Sequence, residues 1–130
     1  MRLIVAITGA SGVIYGRCLL EVLHQKGVET HLIVSRAAEK VIEQELGMGK
    51  KSLVKLAAHV YDVDDLGAPF MSGSFQTDGM VIIPCTMKTL AGIASGYSDN
   101  LILRAADVTL KEGRKLVVVP RETPLSIVHL

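Results

Sequence analysis

The chain opens on a strand that breaks into glycines. Leu3-Ile4-Val5-Ala6-Ile7-Thr8 runs straight into Gly9-Ala10-Ser11-Gly12, and a helical pattern begins immediately after. Two further nearly continuous apolar runs, 79–83 and 115–119, read as strands of the same kind, as parallel strands covered on both faces do. The full pattern is strand 3–8, helix 13–26, strand 29–35, helix 36–46, a short helical segment 52–59, an irregular stretch 61–78, strand 79–83, helices 87–95 and 99–112, and strand 115–119. Alternation of this sort predicts an α/β fold with an open, doubly wound parallel sheet, in which ligands bind at the carboxyl ends of the strands. The polar clusters fall at those ends: residues 9–12, Ser35, residues 85–89, and Arg121 with Glu122.

The first turn has the make-up of a phosphate cradle. Glycines let the backbone approach an anion, and free amides at a helix N-terminus point at it. Ser11 can cap the helix and donate to a phosphate oxygen. A small-residue turn that merely packs a helix on a sheet is the alternative. The glycines fall at 9, 12 and 16, not in the Gly-x-Gly-x-x-Gly spacing of a dinucleotide fold. The second strand ends in Ser35-Arg36, where such a fold places an acid about 20 residues after the turn to hold a ribose hydroxyl. A single-phosphate ligand such as flavin mononucleotide (FMN) therefore fits better than NAD.

Thr86 and Thr89 sit where they can cap the helix after the third strand or offer hydroxyls to a ligand. Ser72-Gly73-Ser74 lies in a polar stretch of the kind that functional and ordinary loops share. Arg104 and Lys111 are seven apart on one helix with Asp107 between them, which reads first as an exposed salt-bridge ladder. Arg121 and Glu122 stand at a strand end, where a cation can hold an anion and a carboxylate can move protons. Glu39, Glu43 and Glu45 look alike as surface charges.

The chain's 130 residues predict one domain with a real core. Apolar residues make up 49% and charged residues 21%, a balance that predicts a homo-oligomer hiding part of the surface. No run reaches the roughly 18 residues of a membrane span, and the N-terminus lacks the pattern of a signal peptide. The expected location is cytoplasmic. A net charge of +1 and 4% aromatic residues give no reason to expect nucleic acid or a membrane as partner. Cys18 and Cys85 read as two buried thiols, Cys18 by sharing a helical face with Leu19, Val22 and Leu23. The four histidines show no ligand spacing, so no metal site is expected.

The stretches Thr8-Gly9-Ala10-Ser11-Gly12, Ser72-Gly73-Ser74-Phe75-Gln76-Thr77-Asp78-Gly79-Met80, Pro84-Cys85-Thr86-Met87-Lys88-Thr89-Leu90, Arg104-Ala105-Ala106-Asp107-Val108 and Val119-Pro120-Arg121-Glu122-Thr123-Pro124-Leu125 resemble the UbiX-type flavin prenyltransferases. The resemblance covers essentially the whole chain. It implies a flavodoxin-like Rossmann fold that binds reduced FMN and joins to it a dimethylallyl group from dimethylallyl phosphate, first at a ring nitrogen and then at a neighbouring carbon. The product, prenylated FMN, serves UbiD-type decarboxylases. Gly9, Ala10, Ser11, Ser35, Thr86, Met87, Lys88, Thr89 and Arg121 would touch FMN. Ser11 and Glu45 would manage protons, with Glu122 assisting. Ser72, Arg104 and Lys111 would surround the substrate phosphate at a subunit interface, and Lys111 would act in catalysis. The resemblance further implies a dodecamer, no catalytic metal, and about a third more chain beyond Leu130, with a Tyr and an Arg that bind the substrate phosphate. Two other readings remain open: a flavin-dependent decarboxylase of a cysteine-containing substrate, and a non-catalytic FMN-binding subunit of an aromatic acid decarboxylase.

Overall fold

The structure, a computed structural model, describes residues 1–47, 49–65 and 67–121. The elements are β1 (Arg2–Ile7), α1 (Val13–Gln25), β2 (Glu29–Val34), α2 (Arg36–Leu46), α3 (Lys51–Val54), β3 (His59–Asp62), a 3-10 turn (Pro69–Met71), β4 (Gly79–Cys85), α4 (Met87–Ala94), α5 (Leu101–Lys111) and β5 (Lys115–Pro120). The strands form one parallel sheet in the order β3-β2-β1-β4-β5. The order reverses between β1 and β4, the switch point at which doubly wound sheets open a crevice.

Strand alternation divides the core. Ile4 and Ala6 point to the side covered by α4, α5 and Phe70 of the 3-10 turn, with Ile33, Met80, Ile82, Leu101, Ile102 and Ala105. Val5 and Ile7 point the other way, onto α1, α2 and α3, with Leu32, Val34, Leu20, Ala38, Ile42 and Leu53. Burial on both faces explains the unbroken apolar runs of β1 and β4. Gly16 lets α1 lie against β4: a Cβ there would come 2.6 Å from the Ile83 carbonyl oxygen. Among the described residues no helix is long and apolar enough to cross a membrane.

Three local expectations change. Where the sequence predicts a helix over 52–59 and an irregular run over 61–78, the chain forms the single turn α3, Lys51–Val54, then β3 and the 3-10 turn. This strand is short, sits at the sheet edge and exposes His59 and Asp62. Pairing with β2, His31 opposite His59 and Ile33 opposite Tyr61, makes it a strand where the apolar pattern does not. Second, Cys18 is exposed. α1 carries apolar residues all round: Val13, Gly16, Leu20 and Leu23 face the sheet, while Ile14, Tyr15 and Val22 face outward beside Cys18. Third, among the described residues β5 packs through Leu116 and Val118 on one face, while Val117 and Val119 of the other are exposed.

Candidate active site

At the switch point a rivet joins the two strand ends. The Thr8 hydroxyl donates to the Pro84 carbonyl at 2.7 Å and accepts from the Thr86 amide at 2.9 Å. Beside it opens a cleft of about 440 Å³, lined by Thr8, Gly9, Ser35, Arg36, Ala37, Val63, Asp64, Thr86, Lys88, Thr89, Gly92, Tyr97, Asp99, Asn100 and Leu103. The carboxyl ends of β1 to β4 all reach it.

Three helices start at this cleft. Ser35 Oγ accepts from the Ala38 amide at 3.1 Å, Thr86 Oγ1 from Thr89 at 3.1 Å, and Asn100 Oδ1 from Leu103 at 2.9 Å. Each N-terminus carries partial positive charge. Arg36 and Lys88 add full charges in the first turns of α2 and α4, and Arg36 pairs with Asp64 across the rim. The Thr86 hydroxyl donates to Thr89 Oγ1 at 2.9 Å, so the two threonines act as one polar wall. The arrangement suits a phosphate ester.

The turn after β1 runs along α2 away from the cleft. Gly9 abuts the start of the helix, where a Cβ would come 2.5 Å from Ala37 Cβ. Gly12, at φ 104°, hands the chain to α1. There the amides expected to face a ligand phosphate meet a carboxylate of the chain itself: Glu45 Oε1 accepts from Gly12 N at 3.0 Å and Val13 N at 3.3 Å, and Glu45 Oε2 from the Ser11 hydroxyl at 2.6 Å. The helix crossing keeps Glu45 within reach of those donors. The Ser11 hydroxyl holds the Glu45 carboxyl below its ordinary value of 4.5, helped by the Gly12 and Val13 amides and then by the charge of Arg121. Ala37 and Glu45 are eight residues apart, roughly 12 Å along the helix.

Of the residues singled out in the sequence, Gly9, Ser35, Thr86, Lys88 and Thr89 line the cleft. Ser11 and Glu45 form a pair further along α2, and Arg121 acts on it from the end of β5. Ala10 and Met87 adjoin these groups in the chain without lining the cleft. Glu122 lies outside the described residues. Arg104 is exposed in the first turn of α5, and Lys111 reaches Asp107 at 3.7 Å, one half of the expected ladder. Ser72 pairs with Ser74 at 2.8 Å in the loop before β4, the opposite end of the sheet from the cleft. Arg114 ties that loop down by donating to the Gly73 and Phe75 carbonyls. Within one chain Ser72 and Lys111 do not meet the cleft. Cys85 is buried in the core, and burial pushes its thiol up to about 11, so it is no nucleophile at neutral pH.

Sequence reading missed Thr8, Asp64, Tyr97, Asp99 and Asn100. Asn100 had a signal, since an Asn directly before an apolar helical run marks an N-cap. A second polar group also escaped it. Glu29, His31 and His59 bring their ligand atoms within 4.8 Å of one another. His31 is buried between Glu29 Oε2 at 2.7 Å and the Tyr61 hydroxyl at 2.9 Å. Burial, first of all, lowers its basicity. Hydrogen bonds from His31 and then Arg2 take Glu29 down to about 2. With Arg2 bonded to the same carboxylate at 2.6 Å and His59 exposed, the group is a hydrogen-bonded network in which the Arg2 charge opposes a second cation.

The fold and the cleft define a nucleotide-binding α/β protein of the doubly wound class. Residues 1–126 match the model of the Flavoprotein family. The chain is 58% identical over 130 residues to the flavin prenyltransferase LpdB of Lactiplantibacillus plantarum, covering 99% of this chain and 70% of that protein. It is 57% identical over 131 residues to a probable UbiX-like flavin prenyltransferase of Streptomyces sp., covering 100% of this chain and 66% of the relative. Its structure superposes with a TM-score of 0.97 on a dodecameric FMN-dependent UbiX-like decarboxylase of Escherichia coli O157:H7, at 53% identity over 99% of this chain and 71% of the other. For AnUbiX (PadA1) in complex with FMN and dimethylallyl pyrophosphate the TM-score is 0.96, at 50% identity over 98% and 68%. The peptidyl-cysteine decarboxylase EpiD, at 20% identity over 93% and 69% with a TM-score of 0.67, shares the fold alone. The chain belongs to the flavoprotein family, in its UbiX-type flavin prenyltransferase branch.

Proposed function

We propose that this chain is a flavin prenyltransferase. In this reading it binds reduced FMN along the carboxyl edge of the sheet and transfers to it the dimethylallyl group of dimethylallyl phosphate, making prenylated FMN for a UbiD-type decarboxylase. One observation carries the reading. A phosphate-like environment at the starts of α2, α4 and α5 and a Ser11–Glu45 pair at the far end of α2 are set roughly 12 Å apart, a span that an extended flavin mononucleotide bridges from phosphate to ring.

Ser35, Thr86, Lys88 and Thr89 hold the ligand phosphate. Gly9, Ala10 and Met87 flank the body of the flavin, and Arg121 sits near its ring. Glu45, ionised and oriented by Ser11, takes up a proton as the new ring closes; Glu122 assists. Departure of the allylic phosphate leaves negative charge, which fixed cations stabilise without a metal. Arg104, Lys111 and Ser72 supply that site from a neighbouring subunit, since one chain keeps Lys111 and Ser72 away from its own cleft. This requires a homo-oligomer, for which the dodecamer of the E. coli neighbour is the natural pattern. The exposed outward face of α1 and the open face of β5 are apolar surface available for it. The chain acts in the cytoplasm as one FMN-binding domain, without nucleic acid or membrane.

The reading is tested by coupling. An apo UbiD-type decarboxylase is incubated anaerobically with this chain, reduced FMN and dimethylallyl phosphate, and decarboxylation is followed. Activity that depends on all three components supports the proposal; activity unchanged when the chain is omitted refutes it.

A further inference from the structure

Arg36 stands two residues past the end of β2, in the region where dinucleotide folds read a ribose hydroxyl with an acid or a ribose phosphate with an arginine. It opens α2, and a cation in the first turn of a helix opposes the helix dipole. Its partner is Asp64, and both line the cleft. Among the described residues, the charged side chains lining the cleft are Arg36 and Lys88 against Asp64 and Asp99, a formal balance of zero. With Arg36 on Asp64, Lys88 is the one remaining cation among the described lining residues to meet a phosphate dianion.

Resting on the flavin reading above, we propose that Arg36 is a phosphate-selecting residue whose guanidinium exchanges the Asp64 carboxylate for the phosphate of the ligand, so that the pair sets the preference for FMN over unphosphorylated riboflavin. The exchange trades a weak, solvent-exposed pair for a stronger contact, against the remaining repulsion of the freed Asp64 carboxylate. The side chains are 77% and 58% exposed, and an ion pair that open to water contributes little. A guanidinium on a phosphate makes charge-assisted bonds, with geometry suited to two at once. Asp64 stays in place: its amide donates to Asp62 Oδ1 at 2.9 Å, so the loop can take Arg36 back on release. Left unpaired at the rim, Asp64 repels the incoming dianion, and Arg36 masks it until the phosphate arrives.

The test is the dissociation constant for FMN and for riboflavin, by quenching of flavin fluorescence, with the wild-type chain, Arg36→Ala, Asp64→Ala and Arg36→Lys. Arg36→Ala should weaken FMN about tenfold and leave riboflavin within about twofold, the loss of one hydrogen-bonded charge contact. Asp64→Ala should tighten FMN and leave riboflavin unchanged. Arg36→Lys should restore part of the FMN affinity. A structural brace would behave differently, with both alanine variants weakening both ligands in parallel; that pattern overturns the proposal, as does FMN binding by Arg36→Ala equal to wild type. Failure of the wild-type chain to bind FMN at all overturns the flavin reading and this inference together. Tight wild-type binding with an unchanged Arg36→Ala overturns this inference alone.

Discussion

Glu45 holds α1 and α2 together, and its removal has a calculable cost. The N-cap of α1 is Gly12, which offers no side-chain oxygen, and the first turn contains no acid. Glu45 caps the helix from outside by accepting from Gly12 and Val13. Loss of a cap costs about 1 kcal/mol, and loss of a negative charge at a helix N-terminus about 0.5 kcal/mol. Because Glu45 is exposed, water recovers part of this, leaving about 1 kcal/mol for Glu45→Ala. For a chain of this length that lowers Tm by about 4 °C. Glu45→Gln keeps one acceptor on the two amides and loses the charge, so its Tm falls by about half as much. Glu43→Ala, at an exposed position two residues earlier, should change stability by less than about 0.5 kcal/mol. The effect depends on pH with a definite sign. The folded state lowers the Glu45 pKa from 4.5, so it binds fewer protons than the unfolded chain across that window. The carboxylate's contribution is complete above 4.5 and is lost as pH falls through the lowered folded value. Thermal denaturation by circular dichroism should therefore show the gap between wild type and Glu45→Gln at neutral pH and its closure in acid. A Glu45→Ala chain no less stable than Glu43→Ala, or a gap that widens in acid, would refute the reasoning.

The same carboxylate carries the proposed chemistry: with FMN and dimethylallyl phosphate supplied, Glu45→Gln should retain FMN binding while ring closure slows about 10²–10⁴-fold, with Glu43→Gln near wild type in stopped-flow absorbance. Gly16→Ala should destabilise the chain by about 2–3 kcal/mol in urea denaturation, because the new methyl meets a backbone carbonyl that has no rotamer to move to. Cys85 should resist thiol reagents at neutral pH in the native chain and react after unfolding, read by mass spectrometry; burial, together with a thiol pushed up to about 11, predicts it.

Much of the fold is legible in the sequence because parallel strands buried on both faces leave unbroken apolar runs, as in β1 and β4, and because α2 and α5 carry clean helical periods. β3 leaves no such trace, since an edge strand with His59 and Asp62 exposed takes its conformation from β2. The exposure of Cys18 leaves no trace in the sequence, because α1 is apolar on two faces and periodicity does not say which one meets the sheet. At the site, the polar residues at strand ends were visible from the doubly wound rule alone. The grip of Glu45 on Ser11, Gly12 and Val13 was not, because it depends on how α1 crosses α2. The pairing of Arg36 with Asp64 is hidden in the same way, since the partners are 28 positions apart and only the sheet order brings them to one rim.

The most direct test of the account is the mass of the flavin after anaerobic incubation of this chain with reduced FMN and dimethylallyl phosphate. FMN should be recovered heavier by one dimethylallyl unit, formed with an equal amount of inorganic phosphate and with more than one turnover per chain. FMN that is bound by the chain yet recovered unchanged, with no phosphate released, would contradict it.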